Sequence, residues 1–288
     1  MEKILVVGAG QMGAGIAQVS AQAGFSVGLF DAFPGAAERA MEGMKKSLAK
    51  LAEKGQIQEK PEAVIARVRV FTKMDEVASL DPDLMIEAIT ENVEIKLKLY
   101  ADLDRVLPAK TILASNTSSI PITQIGAATK RPDKVVGMHF MNPVPIMKLV
   151  EVIPGLATDP GVLATVLKTA ERMGKTTIVA KDRPAFVVNR ILMPLINEAF
   201  FALGEGLASA EDIDTGVRLG LNHPMGPLTL ADFVGLDTCL AILEVLHKQL
   251  GEDKYRPAPV LRQYVQAGWY GKKAGRGVYV WEAGGQKK

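Results

Sequence analysis

Cysteine is nearly missing from this chain: Cys239 is the only one in 288 residues. No internal disulfide can form, and the count suits a reducing compartment. Its apolar neighbours place Cys239 in a core rather than at a nucleophilic site. Histidine is scarce, with three residues, and no metal site is assigned. Excess charge is missing too: a formal net charge of +2 gives no reason to expect a nucleic-acid or membrane partner. Any basic site must be local. No apolar run approaches the roughly 20 residues of a membrane span. The apolar part of the N-terminus, Ile4 to Val7, is too short for a signal peptide. These absences read as a cytoplasmic protein. There is no internal repeat and no low-complexity tract beyond a Gly/Lys tail, Gly284 to Lys288, expected to fray. What remains is ordinary globular composition, 48% apolar and 23% charged, long enough for one large or two modest domains.

The N-terminal apolar run is the kind of strand that a parallel sheet covers on both faces. Gly8-Ala9-Gly10-Gln11-Met12-Gly13 follows at once, then a helical stretch to Ala23 and a second strand, Phe25 to Phe30, ending in Asp31. Glycines in this spacing also serve plain turns. Between strand and helix, with an acid 18 residues past the last glycine, they meet the requirements of the dinucleotide fingerprint. Gly8 permits the tight turn, Gly10 lets a pyrophosphate approach the backbone, and Gly13 allows close helix–strand packing. The helix N-terminus supplies amide donors. Asp31 would accept from the adenosine ribose hydroxyls and repel a 2′-phosphate, which favours NAD over NADP.

Further strands are expected at Val68–Phe71, Leu84–Ile89, Thr111–Ala114, Lys134–Phe140, Leu149–Ile153 and Lys175–Val179, with helices at Asn92–Leu107 and Asp159–Met173. Read as βα alternation throughout, this is an α/β domain with a Rossmann-type doubly wound sheet. Pro34 to Lys54 is an amphipathic helix carrying Lys45, Lys46, Lys50 and Lys54, by composition a solvated face. Ser115-Asn116-Thr117-Ser118-Ser119 follows the fifth strand. Five small polar residues make an ordinary loop and cap, yet the carboxyl end of such a strand is where open α/β sheets bind ligands. The pattern changes near Lys181-Asp182-Arg183-Pro184. Long helices follow: Ala185–Leu203, kinked at Pro194, then Ser209–Leu219 and Leu228–Leu250. The expected division is residues 1–183 for the nucleotide-binding domain and 184–288 for a smaller all-helical domain. His223, in a proline-bounded turn, and His247, in a helix, read as structural.

His139 closes the sixth strand, and two prolines, Pro143 and Pro145, hold the following connection extended before Glu151. A carboxylate beside an imidazole orients it as a general base near neutral pH. As an isolated pair the two would read as a strand end and a surface charge.

Four segments together resemble the short-chain 3-hydroxyacyl-CoA dehydrogenases, and within them the bacterial 3-hydroxybutyryl-CoA enzymes. They are the glycine fingerprint, Ser115 to Ser119, His139-Phe140-Met141-Asn142-Pro143-Val144-Pro145, and Phe186-Val187-Val188-Asn189-Arg190. Gly271-Lys272-Lys273-Ala274-Gly275-Arg276-Gly277 is similar too, so the resemblance spans essentially the full chain. It implies His139 as acid/base with Glu151 orienting it, and Ser118 and Asn189 on the reacting oxygen with Asn142 nearby. Glu91, Lys96 and Lys273 become nucleotide contacts, and Ser47 and Lys54 contacts to the coenzyme A of an acyl thioester. It also implies a homodimer built on the helical domain. The length leaves no room for a fused hydratase, so a stand-alone dehydrogenase is expected. Two other readings stand beside it. A β-hydroxyacid dehydrogenase would need a catalytic lysine where this chain has Asn189 and Arg190. A non-catalytic nucleotide-binding relative would leave the intact chemistry unexplained.

Overall fold

The computed structural model describes residues 1–282, 286 and 287. Two compact units divide the chain, Met1–Arg183 and Pro184–Lys288.

Eight strands form the sheet of the first unit: β1 (Lys3–Val7), β2 (Ser26–Phe30), β3 (Val68–Phe71), β4 (Leu84–Glu87), β5 (Ile112–Ser115), β6 (Val135–Phe140), β7 (Leu149–Pro154) and β8 (Thr176–Val179). Their order is β3-β2-β1-β4-β5-β6-β7-β8, so the winding reverses between β1 and β4. Every residue of β4, β5 and β6 is buried, because helices cover the sheet. These helices are α1 (Gln11–Gln22), α2 (Ala36–Glu53), α3 (Pro61–Ile65), α4 (Val93–Val106), α5 (Ile122–Ala127) and α6 (Pro160–Arg172). The short α3 and α5, and a 3₁₀ segment at Met74–Leu80, were not expected from the sequence. Ile4, Val6, Ile16, Leu29 and Ile86 sit in one apolar cluster at 0% exposure. Each such side chain contributes about 1.5–3 kcal/mol by leaving water.

One expectation is corrected: the alternation is not βα throughout. β6 and β7 pair antiparallel, joined directly by residues 141–148. A parallel return needs a crossover of about a dozen residues, and Pro143 and Pro145 bar a helix in this shorter link. The chain therefore turns back on itself, and His139 faces Glu151 in register.

The second unit holds α7 (Val188–Gly204), α8 (Ala210–Gly220), α9 (Pro227–Val234), α10 (Leu236–Leu250) and α11 (Pro259–Gln266). α7 starts later than expected because Ala185 (φ 62°) and Phe186 (φ 50°) adopt left-handed backbone. Pro194 lies inside α7 without ending it. The single helix expected over Leu228–Leu250 is two, divided at Gly235, whose φ of 102° cannot continue a right-handed helix. Cys239 is buried in this core, which pushes its thiol up to about 12. His223 is exposed, and His247 lies on α10 with Nε2 3.7 Å from Asp253. Of the tail expected to fray, Gly284, Gly285 and Lys288 lie outside the described residues. Gln286 and Lys287 instead fold back, the former accepting from the Glu282 N–H and the latter bridging Trp281.

Candidate active site

The carboxyl ends of β1, β2 and β4 frame a crevice of about 850 Å³, lined by Gly8, Gly10, Gln11, Asp31, Phe33 and Arg39 among others. Its floor admits no side chain at Gly8 or Gly13. A Cβ on Gly8 (φ 102°) would lie 2.5 Å from the Ala88 carbonyl oxygen, and one on Gly13 would lie 1.8 Å from that of Gly8. At Gly10 a Cβ would meet nothing within 4 Å, so the backbone there borders open space. Gly10 is also the N-cap of α1 and offers no side-chain cap to the first-turn amides. Backbone that can be closely approached, with uncapped helix donors, fits a pyrophosphate. Asp31 lies at the end of β2 in this lining; its carboxylate accepts from the Ala9 N–H at 2.7 Å and the Phe33 N–H at 2.8 Å.

β6 and β7 carry the second group of residues. His139 Nδ1 is 2.6 Å from Glu151 Oε2, and both side chains are buried, Glu151 completely. With a carboxylate on Nδ1 the neutral imidazole carries its proton there, which makes Nε2 the basic nitrogen. Beyond β6, Asn142 accepts from the Gln11 side chain at 3.1 Å. That bond ties the connection after His139 to the glycine loop.

The loop after β5 forms the third group. Glu91 Oε1 accepts from the Ser118 and Ser119 amides at 2.8 and 3.0 Å, and from the hydroxyls of Thr117, Ser118 and Ser119. Burial opposes its charge, but Lys96 and these donors hold the carboxyl below its ordinary value. Lys96, aligned by resemblance with nucleotide contacts, is buried: its ammonium sits 2.5 Å from Glu87 and 3.4 Å from Glu91. Three residues that position these groups were not site candidates in the sequence. Glu87, fully buried, also accepts from the Ser115 hydroxyl at 2.7 Å; an acid in the apolar run Leu84-Met85-Ile86 was its signal. Asn116 accepts from the Phe140 N–H, fixing β5 to β6 at their ends. Lys175 reaches the 141–148 connection and had no sequence signal.

The remaining candidates lie on other elements. Ser47 is half-buried on α2 and Lys54 is exposed at its C-terminus. Asn189 occupies the first turn of α7 and is half-buried rather than enclosed. Lys273 is exposed and pairs with Asp237 at 2.7 Å.

Residues 3–183 match the 3-hydroxyacyl-CoA dehydrogenase NAD binding domain, and residues 186–281 match the C-terminal domain of that family. The chain belongs to the 3-hydroxyacyl-CoA dehydrogenase family. A Bacillus subtilis relative is 55% identical, the alignment covering 98% of each chain. A 3-hydroxybutyryl-CoA dehydrogenase of Bradyrhizobium diazoefficiens is 48% identical over 97% of this chain and 95% of its own. The crystal structure of (S)-3-hydroxybutyryl-CoA dehydrogenase from Ralstonia eutropha has 47% identity and a TM-score of 0.93, covering 98% of this chain and 99% of that one. This dehydrogenase is an oxidoreductase, and its cofactor is NAD.

Proposed function

We propose that the chain catalyses the reversible oxidation of short-chain (S)-3-hydroxyacyl-CoA, notably 3-hydroxybutyryl-CoA, to the 3-oxoacyl-CoA. The observation that carries this reading is the buried His139–Glu151 pair, whose strand connection is tied to the glycine loop through Asn142 and Gln11. NAD⁺, when bound, supplies the hydride acceptor. His139 Nε2 takes the proton of the 3-hydroxyl, and Glu151 stabilises the resulting imidazolium. In the reverse direction the same imidazolium returns the proton to the developing alkoxide. Acid/base help of this kind is worth about 10²–10⁴-fold. Ser118 and Asn189 hydrogen-bond the reacting oxygen, with Ser118 oriented through Glu91. Glu91 and Lys273 serve as nucleotide contacts, and Lys96 acts through Glu91. Asp31 gives NADH its preference over NADPH. Ser47 and Lys54 serve coenzyme A, whose phosphates suit a lysine-bearing helix.

Residues 184–288 contribute Asn189 to substrate binding and form the homodimer contact. Support for dimerisation comes from the exposed apolar side chains Ile191, Leu207, Leu219 and Leu221. A cytoplasmic location belongs to this reading, and the single, buried cysteine supports it. No helix among the described residues is long and apolar enough to cross a membrane.

Initial rates with acetoacetyl-CoA and NADH test the reading. Turnover is expected with the thioester and is expected to be much slower with free acetoacetate or with NADPH. Turnover of a free hydroxyacid in preference to the thioester would indicate the other dehydrogenase class. NADH binding with no turnover on either would indicate a non-catalytic relative.

A further inference from the structure

Lys175 is a buried cation that the proposed chemistry does not use. It lies between α6 and β8 and is 7% exposed. Its ammonium donates to the Val144 carbonyl at 2.5 Å and to the Met147 carbonyl at 2.8 Å. Among the described residues it forms no ion pair. Burial, together with neighbouring Lys148, lowers it to about 8. A desolvated charge met only by carbonyl dipoles is an unfavourable way to hold a fold together. Packing alone would be served better by an apolar side chain of the same length.

Both of its acceptors belong to residues 141–148, the direct link between the strand of His139 and the strand of Glu151. That link has little else to hold it. Val144 is its one buried residue, packed so closely on α1 that a Cβ at Gly15 would lie 2.8 Å from the Val144 Cβ. Inside the link, the Ile146 and Met147 amides both donate to the Pro143 carbonyl. At its end, the Thr176 N–H donates to the Lys148 carbonyl, next to Lys175 itself. Charge-assisted bonds to two carbonyls three residues apart fix the curvature of the link as neutral donors could not. We propose that Lys175 is a positioning residue: it clamps the link so that β6 and β7 present His139 and Glu151 as an aligned pair and Asn142 stays on Gln11.

The proposal rests on His139 being the acid/base, and it separates from that reading experimentally. Lys175→Met removes the charge and both donors while keeping the length of the side chain. By the desolvation argument its melting temperature should equal or exceed the parent's. Its kcat for acetoacetyl-CoA reduction should fall about tenfold or more, since small misplacements of reacting groups are costly. KM for acetoacetyl-CoA and Kd for NADH should stay within about twofold. Hydrogen exchange should quicken at the Ile146 and Met147 amides and stay unchanged in β1 and β2. Lys148→Met, which removes the neighbouring exposed charge, should match the parent in rate and exchange. A folded Lys175→Met with parental kcat overturns the proposal, and so does lowered kcat with parental exchange in the link. Should Lys175→Met fail to fold, Lys175→Gln, with one shorter neutral donor, decides by the same two readouts. Exchange reports on the clamp even if the parent does not reduce acetoacetyl-CoA, so failure of the functional reading remains distinguishable.

Discussion

Glu151 and Asp232 are buried carboxylates, one in each unit, at 0% and 1% exposure. Their surroundings differ in kind. Asp232, on α9, accepts from the Val278 and Tyr279 amides and from the Trp281 indole N–H. These donors do not ionise near neutral pH, so Asp232 is a lock that fastens the C-terminal arm. Asp214 repeats the arrangement with the Leu228 and Thr229 amides, the Thr229 hydroxyl and the Tyr279 hydroxyl. Glu151 meets an imidazole, a partner whose ring nitrogens can both accept and donate a proton. Burial of an acid therefore identifies nothing by itself; the proton chemistry of its partner does.

Four substitutions would break or sharpen that contrast. The largest effect is expected at His139: His139→Gln should lower kcat about 10²–10⁴-fold while NADH binding, followed by fluorescence titration, stays near parental. Parental turnover in a folded variant would remove His139 as acid/base. Next, Asp232→Ala orphans three donors, two of them buried, and should lose about 3 kcal/mol of stability in urea denaturation. Its kcat per folded molecule should stay parental, and a selective fall in kcat would remove the distinction between lock and chemistry.

The third contrast is in pH, where the two units carry opposite signs. Glu91 is held below its ordinary value of 4.5 despite burial, so its contribution is present above that value and is lost as pH falls through the folded pKa. Asp232 is raised by burial, only partly offset by its donors, so its contribution is present below the ordinary aspartate value and is lost as pH rises through the folded pKa. Glu91→Gln should flatten the acid limb of the stability curve. An unaltered acid limb would mean that Glu91 is not the group lost there. The smallest effect is expected at Lys54→Ala. An exposed lysine–phosphate contact is worth at most about 1 kcal/mol, so KM for acetoacetyl-CoA should rise only a few-fold, and less at high salt. An unchanged KM at low salt would return Lys54 to the solvated face.

Legibility in the sequence followed how local each signal was. The fingerprint could be read because its glycines and its helix are contiguous, and Asp31 lies one strand away. The His139–Glu151 pair could be read because a short, proline-bearing link keeps the partners close along the chain. That the link reverses the strand was missed, because apolar strands look alike whether parallel or antiparallel. Lys96 was placed by resemblance among nucleotide contacts, and its burial against Glu87 depends on how α4 packs beside β4. The late start of α7 was hidden for another reason. Ala185 and Phe186 have no preference for left-handed backbone, so nothing in their identity announces it. Lys175 looked like any lysine at the start of a strand, since its two acceptors are backbone atoms that a side-chain pattern cannot reveal.

The antiparallel β6–β7 pairing makes the length of a segment as constrained as the identity of a residue. Along a strand, side chains alternate between faces, so sliding β7 by one residue would turn Glu151 away from His139. A single insertion or deletion within 141–148 must therefore shift the register or bulge the link away from Lys175, and either outcome disrupts the pair. The parallel strands in the same sheet are joined through helices and surface turns, where added residues can be absorbed. Natural variation in loop length should thus be permitted around most of the sheet and refused in this one link, even at positions such as Ile146 whose side chains are exposed.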